Sequence, residues 1–300
     1  MTTIITKNSS TANAVPSAGA LTQGELAVNV TDRKLYTKNA SNAVVSLGAD
    51  LTANSPKATN NVTLGANAGV AITTGVSNTF IGSQAGKTVT TGVSNTALGN
   101  EALRDDVSGA GNTAIGKNAL NKCLGNFNTA IGFIAGNAAT TAFSNTFLGD
   151  SAGANVTTGQ GNVNVGQNSL ASAATVSNEI TLGNANSSAL RCNVQSISSL
   201  SDARDKTNIV DTSYGVDFLN TLQPRQFTWA TRDGSSKDGK VEQGFIAQEL
   251  LEAAGADKNK LNLVYESNPE KLEATAGNLI PILVKAIQEL SARVTELENN

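Results

Sequence analysis

The chain contains no histidine, so any chemistry must come from serine, lysine, cysteine or carboxylates. That removes Ser-His-Asp and Cys-His catalysis, His-ligated zinc and an imidazole pH switch. One workable pairing is Ser201 and Lys206, in the run Leu200-Ser201-Asp202-Ala203-Arg204-Asp205-Lys206-Thr207-Asn208-Ile209. Serine and lysine can act as nucleophile and base once the lysine sheds a proton that an ordinary lysine holds to about pH 10.4. Burial or the cation Arg204 would ease that loss, and Asp202 or Asp205 would oppose it. Geometry therefore decides, and spacing alone does not separate a working pair from two solvated surface residues.

Other chemistry finds less support. Between 61 and 190 the acids are Glu101, Asp105, Asp106, Asp150 and Glu179. A glycosidase needs two carboxylates across a cleft, whereas Asp105 and Asp106 are adjacent and read as a solvated turn. Cys123 and Cys192 are too far apart in sequence for a metal motif and read as reduced thiols. No metal and no cofactor is expected. Net charge is −3 with scattered basic residues, so the Lys/Arg stripe of a nucleic-acid groove is missing. MTTIITKNSS lacks the apolar core of a signal peptide, and no run approaches ~18 apolar residues, so membrane insertion is not expected.

The elements that would position the Ser–Lys pair follow from a change in composition. Residues 1–200 hold 18 charged side chains and residues 201–300 hold 27, which sets a seam near 200. Before the seam lies a repeat. Asn-Thr-x-Ile/Leu-Gly begins at Asn78, Asn95, Asn112, Asn128 and Asn145, with looser copies at Asn61, Asn162 and Glu179, spaced by 17 residues except for one step of 16. Ala-Gly or Ala-Leu follows at a fixed offset, as in Ala85-Gly86 and Ala102-Leu103. Each copy reads as a short strand closed by a glycine corner, then a small-residue step and a second turn, and such units stack into a β-solenoid. The small Ala/Gly steps leave little single-chain core to set against the entropy of ordering each repeat. The expectation is a parallel homotrimeric shaft sharing its core, with a monomeric β-helix as the other arrangement.

The parts are an N-terminal β module at 1–50, a linker at 51–60, the shaft at 61–190, a connector at 191–200 and a terminal domain at 201–300. In the first, Leu26–Val30 and Lys34–Tyr36 read as strands around a Thr31-Asp32-Arg33 turn. In the last, expectations are a helix near Val216–Leu222, strands at Arg225–Trp229 and Val241–Ile246, and a helix at Ala247–Ala254 stopped by Gly255. A C-terminal helix over 279–298 repeats Ile280, Leu283, Ile287, Leu290, Val294 and Leu297 at 3,4,3,4,3, a three-heptad coiled-coil seam. An amphipathic helix packed on its own chain is the other reading.

SDARDKTNI resembles the opening of the intramolecular chaperone auto-processing domain, a self-cleaving peptidase family that ends many phage tail fibres and tailspikes. LQPRQFTW (Leu222–Trp229), GFIAQEL (Gly244–Leu250) and LIPILVKAIQEL (Leu279–Leu290) extend the resemblance over 201–300. It implies Ser201 as nucleophile, Lys206 as base and Leu200–Ser201 as the scissile bond. Asp202, Arg204 and Asn208 match as supporting residues that orient the loop. The family further implies that the domain trimerises the chain, guides folding and then cuts itself away once. ALTQGELAVNVTDRKLYTK (20–38) resembles the virion-proximal start of phage tail-fibre proteins. The implied protein is a fibre of the virion, made in the host cytoplasm. It would meet a tail or baseplate protein at its N-terminus and a host surface glycan or protein receptor elsewhere. Two alternatives stand beside it. NTAIGKNAL (112–120) resembles head repeats of trimeric bacterial adhesins, which would make the chain a structural shaft with an uncleaved or inactive terminal domain, although their secretion signal and anchor are not read here. A glycan-depolymerising tailspike is the other.

Overall fold

A computed structural model describes residues 7–11, 15–29, 34–47, 60–191, 193, 200–232 and 235–299. The expected turn at 31–33, nearly all of the linker and connector, and Cys192 lie outside the described residues. The chain divides into two compact units, Met1–Thr141 and Ala142–Asn300.

The first unit opens with a four-stranded sheet of β1 (Lys7–Ser9), β2 (Leu26–Asn29), β3 (Lys34–Lys38) and β4 (Val44–Leu47), in that order. The hairpin read from the sequence is β2–β3, pairing Val28 with Leu35. Leu21, Ala27 and Tyr36 bury its small core. The flanking strands β1 and β4 were not expected, because neither has the alternation that marked the hairpin.

The repeats form strands of three residues each: β5 (Val62–Leu64), β6 (Thr79–Ile81), β7 (Thr96–Leu98), β8 (Thr113–Ile115), β9 (Thr129–Ile131), β10 (Thr146–Leu148), β11 (Val163–Val165) and β12 (Ile180–Leu182). Within the first unit β5–β9 succeed one another in one parallel sheet, and within the second β10–β12 do the same, giving a β-solenoid of about seven turns in all. Pairing is parallel and one repeat apart, with Thr79 opposite Thr96, Thr96 opposite Thr113, and Thr146 opposite Val163. The glycine closing each strand has φ between 81° and 141°. Only glycine adopts most of that range without strain, which explains its recurrence at one offset.

Two features hold the stack. The leading asparagines form an internal ladder: Asn95 Oδ1 accepts from the Asn112 amide at 2.9 Å, and Asn95 Nδ2 donates to the Gly109 carbonyl at 2.7 Å. Asn61, Asn78, Asn112, Asn145 and Asn162 make equivalent bonds to carbonyls of the next turn. Beside the ladder, in the repeats that begin at Asn78, Asn95, Asn112 and Asn145, the residue two places after the asparagine and the residue eight places after it trade size. Phe80 and Phe147 face Gly86 and Gly153, whereas Ala97 and Ala114 go with Leu103 and Leu120, all fully buried or glycine. A Cβ on Gly86 would sit 2.6 Å from the Phe80 ring, so each of these four turns holds one large side chain at this level.

Two expectations change here. The core closes within a single chain, because the asparagine ladder and the Phe–Gly and Ala–Leu exchange fill it without a neighbour. Scarcity of core is therefore no argument for a trimer. Asp106 is also fully buried rather than part of a solvated turn. It occupies the offset filled by Val89, Cys123 and Val156 in other repeats. The Gly109 amide donates to its carboxylate at 2.6 Å. Burial pushes its carboxyl above the usual range, against the opposing pull of the Gly109, Ser108 and Val107 amides and Asn112.

Within the second unit, the residues after 200 form a small α+β region with its own core. It comprises α1 (Val216–Leu219), the hairpin β13 (Arg225–Thr228) and β14 (Val241–Gly244), α2 (Ala247–Ala254), α3 (Lys258–Leu261), the pair β15 (Val264–Tyr265) and β16 (Glu273–Ala274), and α4 (Ile280–Glu298). Leu222, Leu250, Ala254, Leu261, Leu263, Val264, Leu279 and Ile282 make the core. α2 runs over the expected residues and stops at Gly255, φ 51°. The elements α3, β15 and β16 were not expected. Pro281 sits in the first turn of α4, where a missing N–H costs nothing.

Candidate processing site

The Ser–Lys pair is built by one tight turn. Asp202 caps a 3-10 turn over Ala203–Asp205, its Oδ1 accepting from the Arg204 amide at 2.9 Å. The Asp205 amide donates back to the Asp202 carbonyl and the Lys206 amide to the Ala203 carbonyl, at 3.2 and 3.1 Å. Reversing the chain this way carries Lys206 alongside Ser201, and Lys206 Nζ donates a hydrogen bond to Ser201 Oγ. The two residues meet within one chain. Asn208 follows in the left-handed region at φ 54°, a conformation asparagine accepts more readily than most residues.

The charges around the pair sort themselves. The Arg204 guanidinium binds the Asp202 carboxylate at 2.5 Å. That bond holds the Asp202 carboxyl below its ordinary range and raises the hold of Arg204 on its proton. Asp202 is thus occupied with cap and arginine rather than with Lys206, and Arg204 is neutralised rather than presented to the lysine. Of the supporting residues expected from the sequence, Asp202 and Arg204 shape the turn directly, and Asn208 supplies the left-handed residue that follows it.

Residues 200–213 are all exposed. Leu200 is fully so, at 102%, and Ile209 and Val210 are at 70% and 84%. Apolar side chains in such a segment gain by finding a partner surface, and burial is what lets a lysine give up its proton.

The α4 seam stands in the same condition. Leu279, Ile282 and Ala286 face the core of their own chain, whereas Ile280, Leu283, Ile287, Leu290, Val294 and Leu297 are 45–77% exposed. The helix packs intramolecularly on one face and leaves the heptad stripe open. Glu289 fixes the helix, its carboxylate accepting from the Val216 amide at 2.9 Å at the start of α1. Gly215 makes room for that carboxylate.

Among the described residues, no three His, Cys, Asp or Glu side chains gather as a metal site would require, and no helix is long and apolar enough to cross a membrane. Cys123 is free and buried, its thiol pushed up to about 12 chiefly by burial, which leaves it unreactive.

Residues 201–258 match the model of the family described as chaperone of endosialidase, a peptidase family. The match begins at Ser201 and contains Lys206. It ends short of residue 300, although the later residues complete the same core through Leu261, Leu263, Leu279 and Ile282. Comparison with curated proteins and with solved structures returned no match. A β-solenoid followed by a segment of this family fits a tail-fibre or tailspike-like protein with a C-terminal chaperone.

Proposed function

We propose that the chain is a phage tail-fibre protein whose C-terminal domain brings three copies together, directs folding of the shaft and then cuts itself off between Leu200 and Ser201. The observation that carries this reading is the Lys206–Ser201 hydrogen bond at the first residues of the family match, beside the fully exposed Leu200.

The step follows from the placement of the serine on the leaving side of the bond. Lys206, as the free amine, takes the Ser201 hydroxyl proton, and Oγ attacks the Leu200 carbonyl carbon. The C–N bond breaks, the Ser201 nitrogen leaves as an amine that accepts a proton, and Leu200 is held as an ester on Oγ. Water then hydrolyses the ester, giving a Leu200 carboxylate and a free Ser201. Asp202 and Arg204 are positioning residues that hold the turn.

Assembly supplies the missing burial. The open α4 seam suits a short parallel coiled coil. Its Ile/Ile/Val and Leu pattern favours two strands in isolation, but three heptads are short beside the rest of the chain. The outer face of the shaft strands adds aliphatic side chains at one offset: Leu64, Ile81, Leu98, Ile115 and Ile131 in the first unit, and Leu148, Val165 and Leu182 in the second, all exposed or half-exposed. Three shafts in parallel would cover these rows. In the virion, the N-terminal module would join the tail or baseplate, and the shaft would meet a host surface glycan or protein.

Intact mass tests the reading. Wild type yields fragments 1–200 and 201–300, and Ser201→Ala and Lys206→Ala remain whole. A Ser201→Ala chain that trims normally overturns the nucleophile, and a cut after Ser201 overturns the assigned bond.

A further inference from the structure

The eighth rung of the asparagine ladder is an acid. Glu179 stands where Asn61, Asn78, Asn95, Asn112, Asn128, Asn145 and Asn162 stand in the other repeats. Its backbone keeps the ladder, the Glu179 amide donating to Asn162 Oδ1 at 3.0 Å. Its side chain cannot continue it, because a carboxylate has no N–H to donate to a carbonyl of a further turn.

Instead the carboxylate collects donors. Ser172 gives its amide at 2.8 Å and its hydroxyl at 2.5 Å, and Thr181 gives its hydroxyl at 3.1 Å. The fourth donor comes from 86 residues away, the Tyr265 hydroxyl at 2.9 Å. Asn268 Nδ2 then donates to the Ser172 carbonyl at 2.6 Å. Ser172 is therefore gripped from both sides, through its amide and hydroxyl by Glu179 and through its carbonyl by Asn268. Tyr265 belongs to β15, next to the core residue Val264, and Asn268 lies in the loop leading to β16, where its Oδ1 also accepts from the Glu270 amide at 3.0 Å. The loop that reaches the shaft is thus anchored in the terminal domain's core. The Ser236 amide adds a bond to Asn186 Oδ1 at 3.1 Å. Burial works against the Glu179 charge, but the Ser172, Tyr265 and Thr181 bonds outweigh it and hold its carboxyl below the usual range.

We propose that Glu179 is the docking mark by which the terminal domain seats on the last turn of the shaft, with Tyr265 and Asn268 as its readers. This rests on the chaperone reading of that domain and adds where it grips. Seven rungs carry the same amide and cannot be told apart by a hydroxyl donor seeking a carboxylate. The eighth is unique, so a domain that needs an acid there can seat in one register only. It also covers the end of a solenoid, which otherwise presents unpaired strand groups. The contacts are polar and border a cleft of about 860 Å³, lined by Asn155, Asn178 and Lys271 among others. Such a surface suits a cap that must let go after the bond at Leu200 is cut better than an apolar interface would.

Hydrogen exchange read by mass spectrometry tests the docking in the full chain carrying Ser201→Ala, which keeps the domain attached. Adding Tyr265→Phe removes one donor to a charged acceptor. Exchange at the amides of Ser172, Ile180–Leu182 and the 265–274 loop is expected to rise about ten-fold, equivalent to about 1.4 kcal/mol, with the peptides of β5–β8 unchanged. Glu179→Asn, which restores the common rung, is expected to free the 265–274 loop in the same way. If both variants exchange like the parent, Glu179 is not a docking mark. Cleavage is read separately on wild type, so a chain that never cuts removes the processing reading and leaves this result standing.

Discussion

The size exchange inside the shaft makes a quantitative prediction about a pair of substitutions that should together cost less than either does alone. Phe80 is fully buried against Gly86, and a single Cβ at 86 would lie 2.6 Å from the ring. Phe80→Ala empties the site and is expected to cost about 3–5 kcal/mol. Gly86→Leu forces a side chain into the ring, costing about 1–3 kcal/mol for overpacking and about 1–2 kcal/mol for a left-handed residue. The double variant reproduces the Ala97–Leu103 pairing of the next turn, where Leu103 sits at φ 51° against φ 56° for Gly86. Only the left-handed term then remains, about 1–2 kcal/mol. The coupling between the two sites is therefore at least about 4 kcal/mol. Urea unfolding of wild type, the two single variants and the double variant measures it, with hydrogen exchange of β6 and β7 as the local readout. If the double variant loses the sum of the two single losses, the proposed packing rule is wrong.

Other expectations can be checked alongside. Asn95→Ala would strand the buried Asn112 amide and Gly109 carbonyl and cost about 2–6 kcal/mol, whereas Asn164→Ala would remove a buried amide with no partner for either atom and stabilise by about 1–3 kcal/mol; opposite shifts in the unfolding midpoint check both. Because burial raises the Asp106 carboxyl, the folded shaft binds that proton more tightly than the unfolded chain does. This contribution therefore strengthens as pH falls through the raised value and is complete below the ordinary aspartate pKa of about 3.9. Melting curves across pH for wild type and Asp106→Asn isolate it, and parallel curves would refute it. Ile287→Asp on the open α4 seam, at 65% exposure, is expected to leave the folded monomer within about 0.5 kcal/mol while abolishing the trimer and with it the cleavage, read by native and denaturing mass.

What could be read from residues alone depended on how local the determinant is. The corner glycines and leading asparagines recur at a fixed spacing, so β5–β12 were visible as a series. The turn at 202–205 is also local, with cap, charge partner and the Ser–Lys pair all within six residues. Gly86 and Phe80 carry no such mark individually, because their relation is a shared volume between two levels of one turn. Asp106 was misread for want of a comparison that the repeats permit. Aligned with Val89, Cys123 and Val156, it stands at an inward offset, and an acid there must be capped by amides. The heptad stripe of α4 was legible, but its exposure depends on Ile282 and Ala286 taking the core instead. Glu179 was visible as the odd rung, whereas its partner Tyr265 sits on a strand of two residues with no periodicity to announce it.

The claim that most needs testing is that assembly precedes and permits the cut at Ser201. Freshly made wild-type chain, weighed first as native assemblies and then under denaturing conditions, tests it directly. The account predicts assemblies of three chains that resolve into fragments 1–200 and 201–300, with full-length mass only in Ser201→Ala, in Lys206→Ala and in chains that have not assembled. Trimers of uncut wild-type chain that persist unchanged, or fragments from monomers, would contradict it.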